Sequence, residues 1–117
     1  MTLRDFYNKT GSDYDGVLSR MGGSERIVEK FAKKFPNDTS APQLFEAFDN
    51  KDFETAFRMA HTLKGVCLNL GFDKLRESAS ELTEALRGTV ADNAPELLET
   101  VRHNYDEIIG ALAELDQ

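Results

Sequence analysis

His61, Lys64 and Gly65 stand together in the stretch "AHTLKGVCLNLG", residues 60–71. An imidazole, with an ordinary pKa of about 6.5, is a neutral nucleophile near pH 7. Once phosphorylated it carries added negative charge and strong acceptor oxygens, which a lysine one helical turn away can neutralise through charge-assisted hydrogen bonds. The glycine is harder to account for. In a helix interior it costs about 1 kcal/mol relative to alanine. Either the helix ends there, or something outside it needs the missing side chain. An independent phosphoryl-transfer enzyme would need more than this set. The chain has no P-loop, no Gly-rich nucleotide loop and no carboxylate cluster suited to Mg²⁺. Metal, nucleotide and acid are expected to come from elsewhere.

The apolar pattern decides between the two readings of Gly65. Phe53, Ala56, Ala60, Leu63, Cys67 and Leu70 recur at alternating spacings of three and four and pass Gly65 without losing phase. The spacing predicts a helix over 52–70 that stops at Gly71, with Phe72 folding back toward Cys67 in a Schellman-type contact. Gly65 is then interior and off the apolar stripe. His61 falls about 110° from the stripe's centre, at the boundary with solvent. Lys64 and Gly65 follow one turn along the same side, Arg58 precedes at i−3, and Leu68 gives an apolar rim at i+7. Access of another protein's backbone to His61 is a reason to keep Gly65 bare. The segment Lys51–Gly71 holds three basic and two acidic residues, a net +1, while the rest of the chain carries −8.

Other elements must position this flank. The breakers fall at Gly11–Gly16, Gly22-Gly23, "PNDTSAP" (36–42), "DNKD" (49–52), Gly71 and "GTVADNAP" (88–95), and the segments between them have helical period. Ser24 reads as the cap of a helix with Ile27, Val28, Phe31 and Phe35 on one face. Ser40 with Gln43 reads as a capping box for a short helix carrying Ala41, Leu44, Phe45 and Phe48. Leu75, Ala79, Leu82 and Leu86 form a stripe ending at Gly88, and Asn93, Pro95 and Glu96 open a last helix with Leu98, Val101, Tyr105, Ile108, Leu112 and Leu115 on its seam. Short connections favour antiparallel neighbours. The phenylalanines at 31, 35, 45, 48, 53 and 57 are expected in the core, with some near the short helices available for docking.

The 117 residues fit one domain, and a net charge of −7 argues against nucleic acid. One cysteine excludes an internal disulfide. The N-terminus lacks the apolar region of a signal peptide and no apolar run is long enough to span a membrane, so a cytoplasmic protein is expected. Cys67, on the apolar stripe, is expected to be inert core, His103 to be solvated, and the two histidines to form no metal site.

The combination of His61, Lys64, Gly65 and Gly71 resembles the pattern of the histidine-containing phosphotransfer (HPt) family, His-x-x-Lys-Gly with a second glycine six residues on. The flanking "AHTLKG" and "NLG" resemble it too, and "YDGVLSRMGGSERIVEKFAKKF" is similar to the family's N-terminal helices, so the resemblance runs from about 12 to 115. It implies an all-α fold, an elongated antiparallel four-helix bundle with one or two short additional N-terminal helices, as a single domain over 1–117. It implies that His61 is transiently phosphorylated, with Lys64 stabilising the phosphoryl group, Gly65 giving the partner access, and Arg58 and Leu68 at the partner-binding rim. The partners implied are response-regulator receiver domains and a hybrid histidine kinase. No cofactor of the chain's own is implied; Mg²⁺ is expected on the receiver. A monomer without autonomous kinase or phosphatase activity is expected, and Met1 with the end of the bundle near the last residue suggests a stand-alone protein. Two features depart from the pattern. Val66, Cys67 and Leu68 replace small residues, and in place of a polar amide facing the lysine the next helix offers Ser80, Thr83 or Glu84. A helical adaptor that binds receivers or kinases without carrying phosphate is the alternative; a kinase fragment fits less well, because no ATP-binding domain fits in this length.

Overall fold

The computed structural model describes residues 1–115, and among them every regular element is helical. The order is α1 (Leu3–Lys9), α2 (Tyr14–Arg20), α3 (Glu25–Lys34), a 3-10 turn (Phe35–Asn37), α4 (Ser40–Asp49), α5 (Phe53–Leu70), α6 (Asp73–Ala85) and α7 (Ala94–Leu115). The helix α5 packs on α4 and α6, α6 packs on α7, and α7 returns to α4 and α1. The molecule is elongated, 42 × 26 × 20 Å. Residues from α1 to α7 share one continuous apolar core.

The register between neighbours is antiparallel. Lys74 near the start of α6 pairs with Glu107 at 3.5 Å, while Asn104, earlier in α7, donates to the Ser78 hydroxyl further along α6 at 3.2 Å. At the other interface Arg87, just past α6, lies over the Phe57 ring near the start of α5.

Local sequence explains why α5 runs unbroken. Asp52 caps its start by accepting from the Thr55 backbone N–H. Its apolar stripe is buried at Ala56, Ala60, Leu63, Cys67 and Leu70, with Phe53 half-buried at the edge. The stop is at Gly71, where φ is +74°. The Phe72 N–H donates to the Cys67 carbonyl at 3.0 Å and the Gly71 N–H to the Leu68 carbonyl at 3.4 Å, the paired bonds of a Schellman ending. Phe72 then enters an aromatic cluster with Phe6, Tyr7 and Phe35.

Several expectations need correction. Three short helices, α1 to α3, precede α4. The unforeseen α1 is capped reciprocally by Thr2 and Asp5, a T-x-x-D signal that the sequence does carry. Ser40 does not cap α4. It is the first helical residue, its N–H bonds the Asp38 carboxylate at 2.9 Å, and Gln43 reaches past it to the Thr39 hydroxyl. The Asp38 side chain is a stronger acceptor than a serine hydroxyl, and it shifts the start by one residue. On α3 the buried positions are Val28 and Ala32, while Ile27 and Phe31 are 41% and 44% exposed. The pattern marks an apolar face there, but no neighbouring helix covers all of it. The helix α6 ends at Ala85, before Gly88, which has a φ of +70°.

Candidate functional site

The middle of α5 carries the motif on its open flank. His61 is exposed, Lys64 half-buried and Gly65 exposed. Gly65 is helical, outside the set of positive-φ residues, and a Cβ built on it would meet nothing within 4 Å. It is neither a terminator nor a packing glycine: nothing in the chain itself requires the missing side chain. Leu68 is 54% exposed one turn beyond, and its carbonyl accepts a hydrogen bond from Arg20 of α2 at 3.1 Å.

Arg58 is exposed, but its guanidinium donates to the Thr55 hydroxyl at 3.2 Å, toward the helix start and away from the motif. A different arginine borders the site. Arg87 lies over the ring of Phe57, 5.0 Å from its centroid, and Phe57 is one turn before His61. Arg87 also grips Glu84 with two hydrogen bonds, Nε at 3.0 Å and Nη2 at 3.1 Å. The Arg87 bonds, followed by smaller attractions from Lys64 and His61, hold the Glu84 carboxyl below the usual carboxylate range. Of the three residues offered opposite Lys64, Thr83 is buried and bonds the Ala79 carbonyl, and Glu84 is the one whose charge reaches the motif.

Arg87 and Phe57 are the residues that sequence reasoning missed. A signal existed. Counting equal steps either side of the Gly71-Phe72 turn brings Glu84 level with the turn of α5 between Phe57 and His61, and Arg87 level with Phe57. Cys67 is buried, and burial pushes its thiol pKa up, as an inert core position requires. His103 is exposed on α7. Among the described residues no group of His, Cys, Asp and Glu could hold a metal, and no helix is long and apolar enough to cross a membrane.

Fold and site together define a helical bundle that displays a histidine, with a lysine one turn on and open space beside it. The family model of the Hpt domain matches residues 26–116, most of the chain from α3 onward. The chain belongs to the Hpt domain family, whose members are phosphocarriers of phosphorelays. The helices α1 and α2 lie outside the matched stretch. No curated protein and no solved structure matches the chain.

Proposed function

We propose that the chain is a phosphoryl carrier that takes a phosphoryl group on His61 from a receiver-domain aspartate and passes it to a second receiver domain. The observation that carries this reading is the open flank of α5, where an exposed histidine has a lysine at i+3 and, at i+4, a glycine with no internal purpose. The ring nitrogen bearing the lone pair attacks phosphorus. The N–P bond forms as the bond from phosphorus to the carboxylate oxygen breaks, and its electron pair returns to the carboxylate. The reverse step on another receiver restores the imidazole. Lys64 offsets the charge gained on His61, Gly65 leaves room for the receiver's backbone, and Leu68 with the exposed Phe31 and Ile27 offers apolar contact. Mg²⁺ is supplied by the receiver's acidic site. The whole chain acts as one unit and as a monomer.

The test is incubation with a phosphorylated receiver domain and Mg²⁺. Acid-labile, base-stable label on the protein is expected, lost in His61→Gln with the helical signal unchanged. Mg-ATP alone is expected to give none. Binding of receivers without label on the unsubstituted protein would instead support the adaptor; label that persists in His61→Gln or moves to His103 would remove His61 from the role.

A further inference from the structure

We infer that Glu84 limits the stability of the phosphoryl group on His61, and that it does so as one half of a charge pair with Arg87. This rests on the carrier reading of His61 and goes beyond it, because neither residue belongs to the motif.

Three observations support it. The two hydrogen bonds from Arg87 fix both charges in one place on the α6 side of the site. The guanidinium is docked on Phe57, which lies one helical turn before His61, so the pair borders the same stretch of α5. The positive charges of Lys64 and His61 add, after Arg87, to what holds the Glu84 carboxyl below the usual carboxylate range. In the resting protein the Lys64 and Arg87 cations outnumber the Glu84 anion, which Arg87 holds, so the set carries a net positive charge.

Phosphorylation reverses that sign. The phosphoryl group adds about 1.5 to 2 negative charges. Glu84 then opposes the product in two ways. Its carboxylate repels the new anion, and it occupies the Arg87 guanidinium that could otherwise turn to the phosphoryl oxygens. A phosphohistidine held by Lys64 alone would be a better sink; one facing Glu84 gives its phosphoryl group up more readily. For a carrier that must release what it accepts, such an opposing charge favours onward transfer.

The charge logic makes neighbours three residues apart act in opposite directions. The experiment equilibrates the full chain with a phosphorylated receiver domain and Mg²⁺ and measures how label divides between the two proteins. Glu84→Gln is expected to shift the division toward His61 by about three- to tenfold, the order expected for unit charges interacting through partly screened surroundings. Arg87→Ala is expected to shift it the other way, because it leaves Glu84 uncompensated, and the double variant to fall between. Glu84→Asp, which keeps the charge, is expected to stay near the unsubstituted protein. In about 0.5 M salt, where the Debye length falls to roughly 4 Å, all the shifts should shrink. The inference is overturned if Glu84→Gln and Arg87→Ala move label in the same direction, if neither moves it, if Glu84→Asp behaves as Glu84→Gln, or if salt leaves the shifts intact. Label absent from His61 in the unsubstituted protein would overturn the carrier reading itself. Labelled protein whose division ignores Glu84 overturns this inference alone.

Discussion

A methyl group added at Gly65 would meet no atom within 4 Å, whereas at Gly71 it would lie 2.8 Å from the Asp13 carbonyl oxygen and 3.1 Å from the Val17 Cβ. The first glycine is exposed and helical; the second is buried with a φ of +74°. Both belong to the same short motif on the same helix. At Gly71 the requirement is internal. The chain must turn left-handed, and the start of α2 packs directly against it, with the Asp13 N–H donating to the Gly71 carbonyl at 2.8 Å. At Gly65 no internal requirement exists. A glycine that the fold does not need, at a cost of about 1 kcal/mol in helix propensity, points to a need outside the molecule.

The sharpest way to break this comparison is Gly71→Ala. The substitution combines a left-handed conformation, which costs an L-residue about 1–2 kcal/mol, with overpacking against backbone, which costs about 1–3 kcal/mol. A loss of about 2–5 kcal/mol is expected in urea unfolding, with transfer activity retained in whatever fraction stays folded. A neutral effect on stability would mean that the end of α5 and the start of α2 are free to move apart.

A second substitution sharpens the same end without touching the glycine. The buried Tyr7 hydroxyl donates to the Leu70 carbonyl at 2.8 Å, tying α1 to the last turn of α5. Tyr7→Phe leaves that carbonyl without its partner and is expected to cost about 1–3 kcal/mol. Burial raises the Tyr7 pKa above its ordinary 10.0. The unfolded chain therefore loses this proton first, so the Tyr7 contribution is fully present below pH 10 and declines as pH rises beyond it. Comparing alkaline unfolding of the two proteins checks this: the phenylalanine variant should lose less stability above pH 10.

How much of this was legible in the sequence follows the same division. The span of α5 and its Schellman ending were readable because a 3-4 spacing and a following glycine are local signals. The stripes of α6 and α7 were readable for the same reason. The exposure of Ile27 and Phe31 was not, because an apolar face reports what a helix could bury and not whether a neighbour arrives to cover it. The position of Arg87 over Phe57 was not read either, since it takes a count across the Gly71-Phe72 turn and no local pattern reports it. His61, Lys64 and Gly65 fell on one open flank as the helical period requires. Arg58, chosen by the same period, has a side chain long enough to turn toward Thr55.

Gly65→Ala reverses the sign found at Gly71. A helical position with open space around it accepts a Cβ without strain, and the unfolded chain loses freedom, so a gain of about 0.4–1 kcal/mol is expected. Gly65→Gln should also fold. It should slow transfer from a phosphorylated receiver while leaving labelling by phosphoramidate intact, because the small donor needs no backbone approach. If both assays fail together, or the variant unfolds, Gly65 is structural and the contrast with Gly71 disappears.

Lys64→Ala has the smallest expected effect on the fold and so isolates chemistry from stability. A surface charge away from caps and buried pairs changes stability by no more than about 0.5 kcal/mol. Lys64 is half-buried on the open flank, and the exposed Glu84 carboxylate opposite is already held by Arg87. Removing it therefore strands no buried partner. On the carrier reading, what it removes is the cation one turn along from His61. The phosphohistidine should decay faster or form more slowly, with the unfolding midpoint nearly unchanged. The direction matches Arg87→Ala and opposes Glu84→Gln, so the three together test whether one electrostatic balance governs this flank. Equal lifetime and equal transfer kinetics in Lys64→Ala would remove the lysine from the site.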